Sequence, residues 1–154
     1  MIIYSVIHIK KFLKDKGRIL ALDVGTKRIG IAISDDTRSF SSPKAIIKRH
    51  SNKIDFDKIK KIINEHNIII LVIGLPLNMD GSCSLMSKFI KNFAYNLDQF
   101  LQNKIPITLF DERLSSFAAQ ENNLSKLSRK KDYDDDIAAS IILEEFLVEI
   151  NLKD

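Results

Sequence analysis

The stretch Ile19-Leu20-Ala21-Leu22-Asp23-Val24-Gly25-Thr26-Lys27-Arg28-Ile29-Gly30-Ile31-Ala32-Ile33 holds two apolar runs separated by a short polar turn. Each run has the length and apolar content of a buried strand, and Gly25 and Gly30 bracket the cationic segment between them. The spacing predicts an antiparallel pair of strands over residues 19–24 and 29–34. Asp23 then stands at a strand end in an apolar setting, where an ionised carboxylate costs several kcal/mol unless it is paired or bound to metal. Lys27 and Arg28 share its turn, so the position suits a metal or a phosphate. The alternative is a turn cap, with Asp23 accepting from the amides of Gly25 and Thr26.

Outward from this hairpin, Ala45-Ile46-Ile47 reads as a short edge strand. Ile54, Ile59, Ile62 and Ile63 recur at helical spacing and predict a helix over residues 52–66, with Asp55 and Asp57 in the first turn where the macrodipole favours acids. Ile68-Ile69-Ile70-Leu71-Val72-Ile73 is an unbroken apolar run bounded by Gly74 and Pro76, as expected of a strand buried on both faces. Leu85, Met86, Phe89, Ile90, Phe93, Ala94, Leu97, Phe100 and Leu101 form a long helical stripe whose aromatics belong to a core. A strand over residues 106–110 ends on Asp111-Glu112-Arg113. A short helix over residues 116–122, a polar basic segment over 123–131 and a helix over 137–150 with Ala138, Ile141, Ile142 and Phe146 inward complete the chain. The order is α/β, with an antiparallel start to the sheet and no internal repeat.

With 154 residues, 45% apolar content, five glycines and three prolines, the chain supports one core and one domain over residues 18–154. Lys plus Arg number 24 against 20 acids, a mild basic excess. Its distribution is more informative: Lys44, Lys48, Arg49, His50 and Lys53 crowd one segment, and Lys126, Arg129, Lys130 and Lys131 another, although charge runs often do no more than face water. The lone Cys83 excludes an intrachain disulfide and fits a reducing compartment. Residues 1–17 form an apolar extension in which Ile2, Val6, Ile9 and Leu13 follow a helical period. Its lysines come after the apolar stretch and it lacks a cleavage site, so it reads as an amphipathic helix packed on the domain, with no membrane partner and a cytoplasmic location.

In an α/β sheet, ligands gather beyond the carboxyl ends of parallel strands. Asp23, Asp111 and Glu112 follow such ends, and the run Asp134-Asp135-Asp136 opens the last helix. Each has a plain structural reading: a turn cap for Asp23, a local ion pair for Asp111-Glu112-Arg113, and helix capping worth about 0.3–2 kcal/mol for residues 134–136. A common rim would instead give clustered carboxylates that need a divalent cation.

Four blocks carry a family resemblance: residues 21–30, residues 72–81 (Val-Ile-Gly-Leu-Pro-Leu-Asn-Met-Asp-Gly), residues 110–115 (Phe-Asp-Glu-Arg-Leu-Ser), and residues 135–143. Together they resemble the YqgF, or RuvX, family of Holliday junction resolvase-like, pre-16S rRNA nucleases over nearly the whole domain. The resemblance implies a ribonuclease H-like fold: a mixed five-stranded sheet with a leading antiparallel hairpin and flanking helices. It also implies phosphodiester hydrolysis with Mg²⁺ or Mn²⁺, acting at the 5′ end of precursor 16S rRNA during ribosome assembly. The partner would be precursor rRNA or the assembling small ribosomal subunit, and the protein a monomer or homodimer. By position, Asp23 matches the first acid of the family, Glu112 or Asp111 the central one, and Asp135 the last, with Asp134 and Asp136 as alternates.

Thr26, Lys27, Arg28, Arg113, Lys126, Arg129, Lys130 and Lys131 are the candidate nucleic-acid contacts, each neutralised phosphate adding to salt dependence. The segment over residues 74–82 is either a phosphate cradle at a helix N-terminus or a capped connection. His8, His50 and His66 lack metal-ligand spacing. Three rival functions share these residues: an rRNA-binding assembly factor that does not cut, a DNA junction resolvase, and an actin-like ATP-binding protein, for which the chain is too short to close two domains over a nucleotide.

Overall fold

The structure is a computed structural model that describes residues 1–112 and 134–152, the side chains of residues 134–136 excepted. The short polar connection between the first two apolar runs folds them back on each other as β1 (Arg18–Val24) and β2 (Arg28–Ser34). They pair antiparallel with Asp23 opposite Gly30, and the turn is closed by the Gly25 amide donating to the Arg28 carbonyl at 2.8 Å. A Cβ on Gly25 would lie 2.9 Å from that carbonyl oxygen, so the tightness of the turn demands glycine.

β3 spans Ser41–Lys48, longer than the Ala45–Ile47 core expected, because β2 pairs it all the way to Ser34 opposite Ser41. Pro43 is accommodated on this edge strand at a register shift, where a missing amide hydrogen leaves no central ladder bond unmade. The loop before it is organised by Asp35, which accepts from the amides of Ser39 and Phe40 at 2.8 Å. Burial raises the pKa of this carboxyl, and hydrogen bonds from the Thr37 hydroxyl and three amides outweigh it to bring the value down to about 2.

Helix α2 (Asn52–Glu65) starts at Ser51, whose hydroxyl accepts from the Ile54 amide, and α3 (Leu85–Phe100) starts at Ser84, which accepts from the Ser87 amide. Between them runs β4 (Ile68–Leu75), buried along its whole length as the unbroken apolar run requires. β4 pairs parallel with β1 on one side and with β5 (Ile107–Asp111) on the other, giving the order β3-β2-β1-β4-β5. The last long helix, α4, covers Asp134–Asn151 and so begins three residues before the apolar stripe that predicted it.

Two cores follow from strand alternation. Leu20, Leu22, Leu71, Ile73 and Leu109 point toward Phe56, Ile59, Phe93 and Leu97 of α2 and α3. Ile19, Ala21, Ala32, Val72 and Phe110 point toward Ala139, Ile142, Leu143 and Phe146 of α4. Phe110 meets Phe146 edge-on with ring centroids 6.1 Å apart. Residues 1–17 join the same structure. Ile2 bridges Ile107 in parallel at the β5 edge, and one helical turn, α1 (Val6–Ile9), continues into a 3-10 turn over Lys10–Phe12. Ile9 is fully buried in the α4-side core. No helix of the described residues is long and apolar enough to cross a membrane.

Candidate functional site

Because side chains alternate along a strand, register decides which acids can meet. Ile19 and Ala21 face α4, so Asp23, two residues further on β1, stands on the α4 face as well. On β4, Val72 faces α4, which puts Gly74 on that face in the row next to Asp23, since Leu22 pairs with Ile73. Gly30 occupies the corresponding place on β2. Asp23 is therefore flanked across the sheet by two glycines, neither of which projects a side chain beside the carboxylate.

The end of β5 separates the two acids that the sequence left as alternates. Leu109 faces the α2–α3 core and Phe110 the α4 core, so Asp111 falls on the α2–α3 side and Glu112 on the side of Asp23. The glycine at 74 gives independent support: a Cβ there would collide with Glu112 Oε1 and would lie 2.6 Å from Ile142 Cδ1. The Glu112 carboxylate thus rests on bare backbone, under α4, in the space that any larger residue would fill. Asp23, Asp111 and Glu112 are all half-buried.

On α4, the buried residues Ala139, Ile142, Phe146 and Ile150 form the stripe that packs on the sheet, and position 135 lies four residues before Ala139 in that same register. Positions 134 and 136 are displaced from it by one residue. Among the described residues no three His, Cys, Asp or Glu side chains form a metal-binding group, and the side chains at 134–136 lie outside that set.

Of the expected nucleic-acid contacts, Thr26 and Lys27 are exposed in the β1–β2 turn and Arg28 is half-buried at the start of β2. Arg113, Lys126, Arg129, Lys130 and Lys131 lie outside the described residues, as do the short helix over 116–122 and the segment over 123–131. The β4–α3 connection is internally satisfied. Gly81 donates to the Asn78 carbonyl, Ser82 to Asp80 Oδ1, Leu77 bridges Cys83, and Ser84 caps the helix, which favours the capped connection over a phosphate cradle. The exposed Cys83 thiol is held below its usual pKa, chiefly by the Lys91 ammonium 3.2 Å away.

One feature of the site had no signal in the sequence. Asp55, expected in the first turn of its helix, is fully buried, and Arg49, one of the basic run over residues 44–53, pairs with it at 2.9 Å. The guanidinium also donates to the Gly25 carbonyl at 3.2 Å and lies 5.1 Å from the Phe93 ring centroid. The Arg49 amide donates to the Lys27 carbonyl. This buried pair props the Thr26–Arg28 turn from below.

Both the sequence and the fold have known relatives. The chain is 40% identical over 134 residues, 84% of its length and 95% of the relative's, to the "Putative pre-16S rRNA nuclease" of Thermoanaerobacter pseudethanolicus. It is 38% identical over 146 residues, 92% of its length and 89% of the relative's, to the protein of the same name from Bartonella bacilliformis. Among solved structures it is similar to RuvC of T. thermophilus in complex with a Holliday junction substrate, with a TM-score of 0.56, 8% identity and coverage of 88% and 96% of the two chains. A second RuvC structure from Thermus thermophilus gives a TM-score of 0.53 at 6% identity, covering 86% of this chain and 96% of that one. At such identities the likeness speaks to fold, which is ribonuclease H-like. The RuvX family, described as Holliday junction resolvase, matches residues 17–149, and the chain belongs to that family of resolvase-like nucleases.

Proposed function

We propose that the protein is a divalent-metal-dependent nuclease that hydrolyses phosphodiester bonds of precursor 16S rRNA at its 5′ end during ribosome assembly, in the cytoplasm. The observation that carries the site is the placement of Asp23 and Glu112 on one face of the sheet rim with Gly74 between their strands. Two carboxylates over side-chain-free backbone offer the hard oxygen donors that Mg²⁺ or Mn²⁺ takes, so these residues fit the ion. Asp23 and Glu112, with Asp135 as the third acid, would hold it. When bound, such ions activate water and stabilise the leaving oxygen of a phosphodiester.

The chain's own contributions are positional. Gly30 and Gly74 keep the rows beside Asp23 clear, Ile142 covers Glu112, and the Thr26–Arg28 turn presents cations to the backbone of the strand being cut. Cleavage of matched single-stranded RNA and DNA spanning the precursor 5′ junction tests the reading. RNA is cut with Mg²⁺ or Mn²⁺ and not after chelation. Preferential cutting of branched DNA would favour the resolvase reading, and binding of precursor rRNA with no metal-dependent cutting would favour a non-cleaving assembly factor.

Gly74→Ala probes the same geometry. The added methyl must displace the Glu112 carboxylate and the Ile142 methyl, both flexible ends, so overpacking costs about 1–3 kcal/mol of stability. Misplacing a carboxylate that positions the ion lowers the cleavage rate by about 10–100-fold. Rates measured well below the melting temperature check this, and an unchanged rate would show that Glu112 has no part in the chemistry.

A further inference from the structure

A groove of about 610 Å³ runs between the β1–β2 turn and the end of β3, lined by Thr26, Lys27, Arg28, Ile46, Lys48 and Arg49. Four of these six residues are cationic and none is acidic. Ile47 is buried in the α2–α3 core, so Ile46 and Lys48 on either side of it face the opposite way, toward the face that carries Asp23. Lys48 pairs with Arg28, and Ile46 pairs with Gly30, which in turn pairs with Asp23. The groove is therefore the continuation of the Asp23 row toward the free edge of the sheet, two strand spacings or about 10 Å away.

We infer that this groove is a subsite for a neighbouring phosphate of a single nucleic-acid strand whose scissile bond lies at Asp23 and Glu112, with Lys27 and Lys48 as its ligands. The inference rests on the nuclease reading above and adds the direction in which the substrate leaves the acids. Among the described residues neither the Lys27 nor the Lys48 ammonium enters an ion pair, so both charges are available. Ile46, 39% exposed beside them, offers an apolar contact to the sugar or base attached to that phosphate.

The bracing distinguishes this patch from an ordinary solvated charge run. Arg49 spends its guanidinium on Asp55, the Gly25 carbonyl and Asn52, and its amide on the Lys27 carbonyl. The turn carrying Lys27 and the strand end carrying Lys48 are thereby locked together, which lowers the ordering cost of gripping one phosphate between them.

The test is fluorescence anisotropy of end-labelled 12-nucleotide single strands, RNA and DNA of matched sequence, bound to the full chain in chelator so that nothing is cut. Lys48→Glu weakens binding about tenfold and reduces the slope of log K against log salt by about 0.7 or more, the share of one phosphate contact on a single strand. Lys27→Glu does the same. Lys104→Glu, an equal charge change on the exposed α3–β5 connection, sets the long-range effect of net charge. Circular dichroism confirms that each variant is folded. Equal losses in Lys48→Glu and Lys104→Glu, or no loss in either, would overturn the subsite. Normal metal-dependent cleavage with Lys48-independent binding would sink the subsite alone, whereas Lys48-dependent binding by a protein that cuts nothing would sink the nuclease reading and leave the subsite standing.

Discussion

Asp23→Asn lowers the rate of metal-dependent cleavage by about a thousandfold and leaves the fold intact. The amide keeps the size of the carboxylate, so packing at the half-buried end of β1 is preserved. What changes is charge: a neutral ligand supplies less stabilisation to a divalent ion and to the charge that builds on the transferred phosphate. A loss of about 4 kcal/mol of such stabilisation corresponds to a factor of about a thousand. Glu112→Gln follows the same direction. Asp111→Asn is the informative contrast, because Asp111 alternates onto the α2–α3 side of β5 and its loss leaves cleavage in place. Single-turnover kinetics on all three variants check the order.

The second large effect is on stability. Asp55→Ala removes the partner of Arg49, whose side chain is 12% exposed against 0% for Asp55, and leaves a guanidinium without its counter-charge over Phe93. Breaking a buried ion pair from one side costs about 3–5 kcal/mol. In a chain of this length that lowers the melting temperature by about 10 °C, at about 2–4 °C per kcal/mol. The His50 amide loses its acceptor as well. Arg49→Met combined with Asp55→Leu recovers part of the loss, since a pair replaced by apolar groups of similar volume leaves no orphaned charge. Thermal unfolding of the single and double variants measures both. Equal melting temperatures for wild type and Asp55→Ala would show that the pair contributes little and that the turn is held by its backbone bonds.

How much of this was readable in the chain depended on whether the signal was local. The hairpin, β4 and α3 are written in periodicity and glycine placement, and their observed bounds differ from expectation by a residue or two. β3 was foreshortened because its outer half, Ser41 to Lys44, is polar and contains Pro43. Only pairing with β2 makes it a strand, and that partnership is not a property of the segment itself. The opposite faces taken by Asp111 and Glu112 were likewise not a local signal, since both follow the strand. It needs the face of Phe110, which is fixed by Phe146 of α4.

Residues 1–17 illustrate the same limit. The period of Ile2, Val6, Ile9 and Leu13 suggested one helix, but Ile2 finds a strand partner in Ile107 and only Val6–Ile9 closes an α-helical turn. The Arg49–Asp55 pair was the least legible feature. A basic run and a helix first turn each gave those residues an adequate local reading, and their pairing arises from Arg49 reaching Asp55 of α2 and the Gly25 carbonyl of the β1–β2 turn together. By contrast Gly74 and Gly30 were visible as family-block residues, and the structure adds that Gly30 lies opposite Asp23 and that a Cβ at Gly74 would meet Glu112 and Ile142.

The most direct test of the account is calorimetric titration of Mn²⁺ into the wild type and into Asp23→Asn. Saturable binding by the wild type that is lost in Asp23→Asn, with both proteins equally folded, is the predicted result. Equal Mn²⁺ binding by the two proteins would contradict it and return Asp23 to the role of a turn residue.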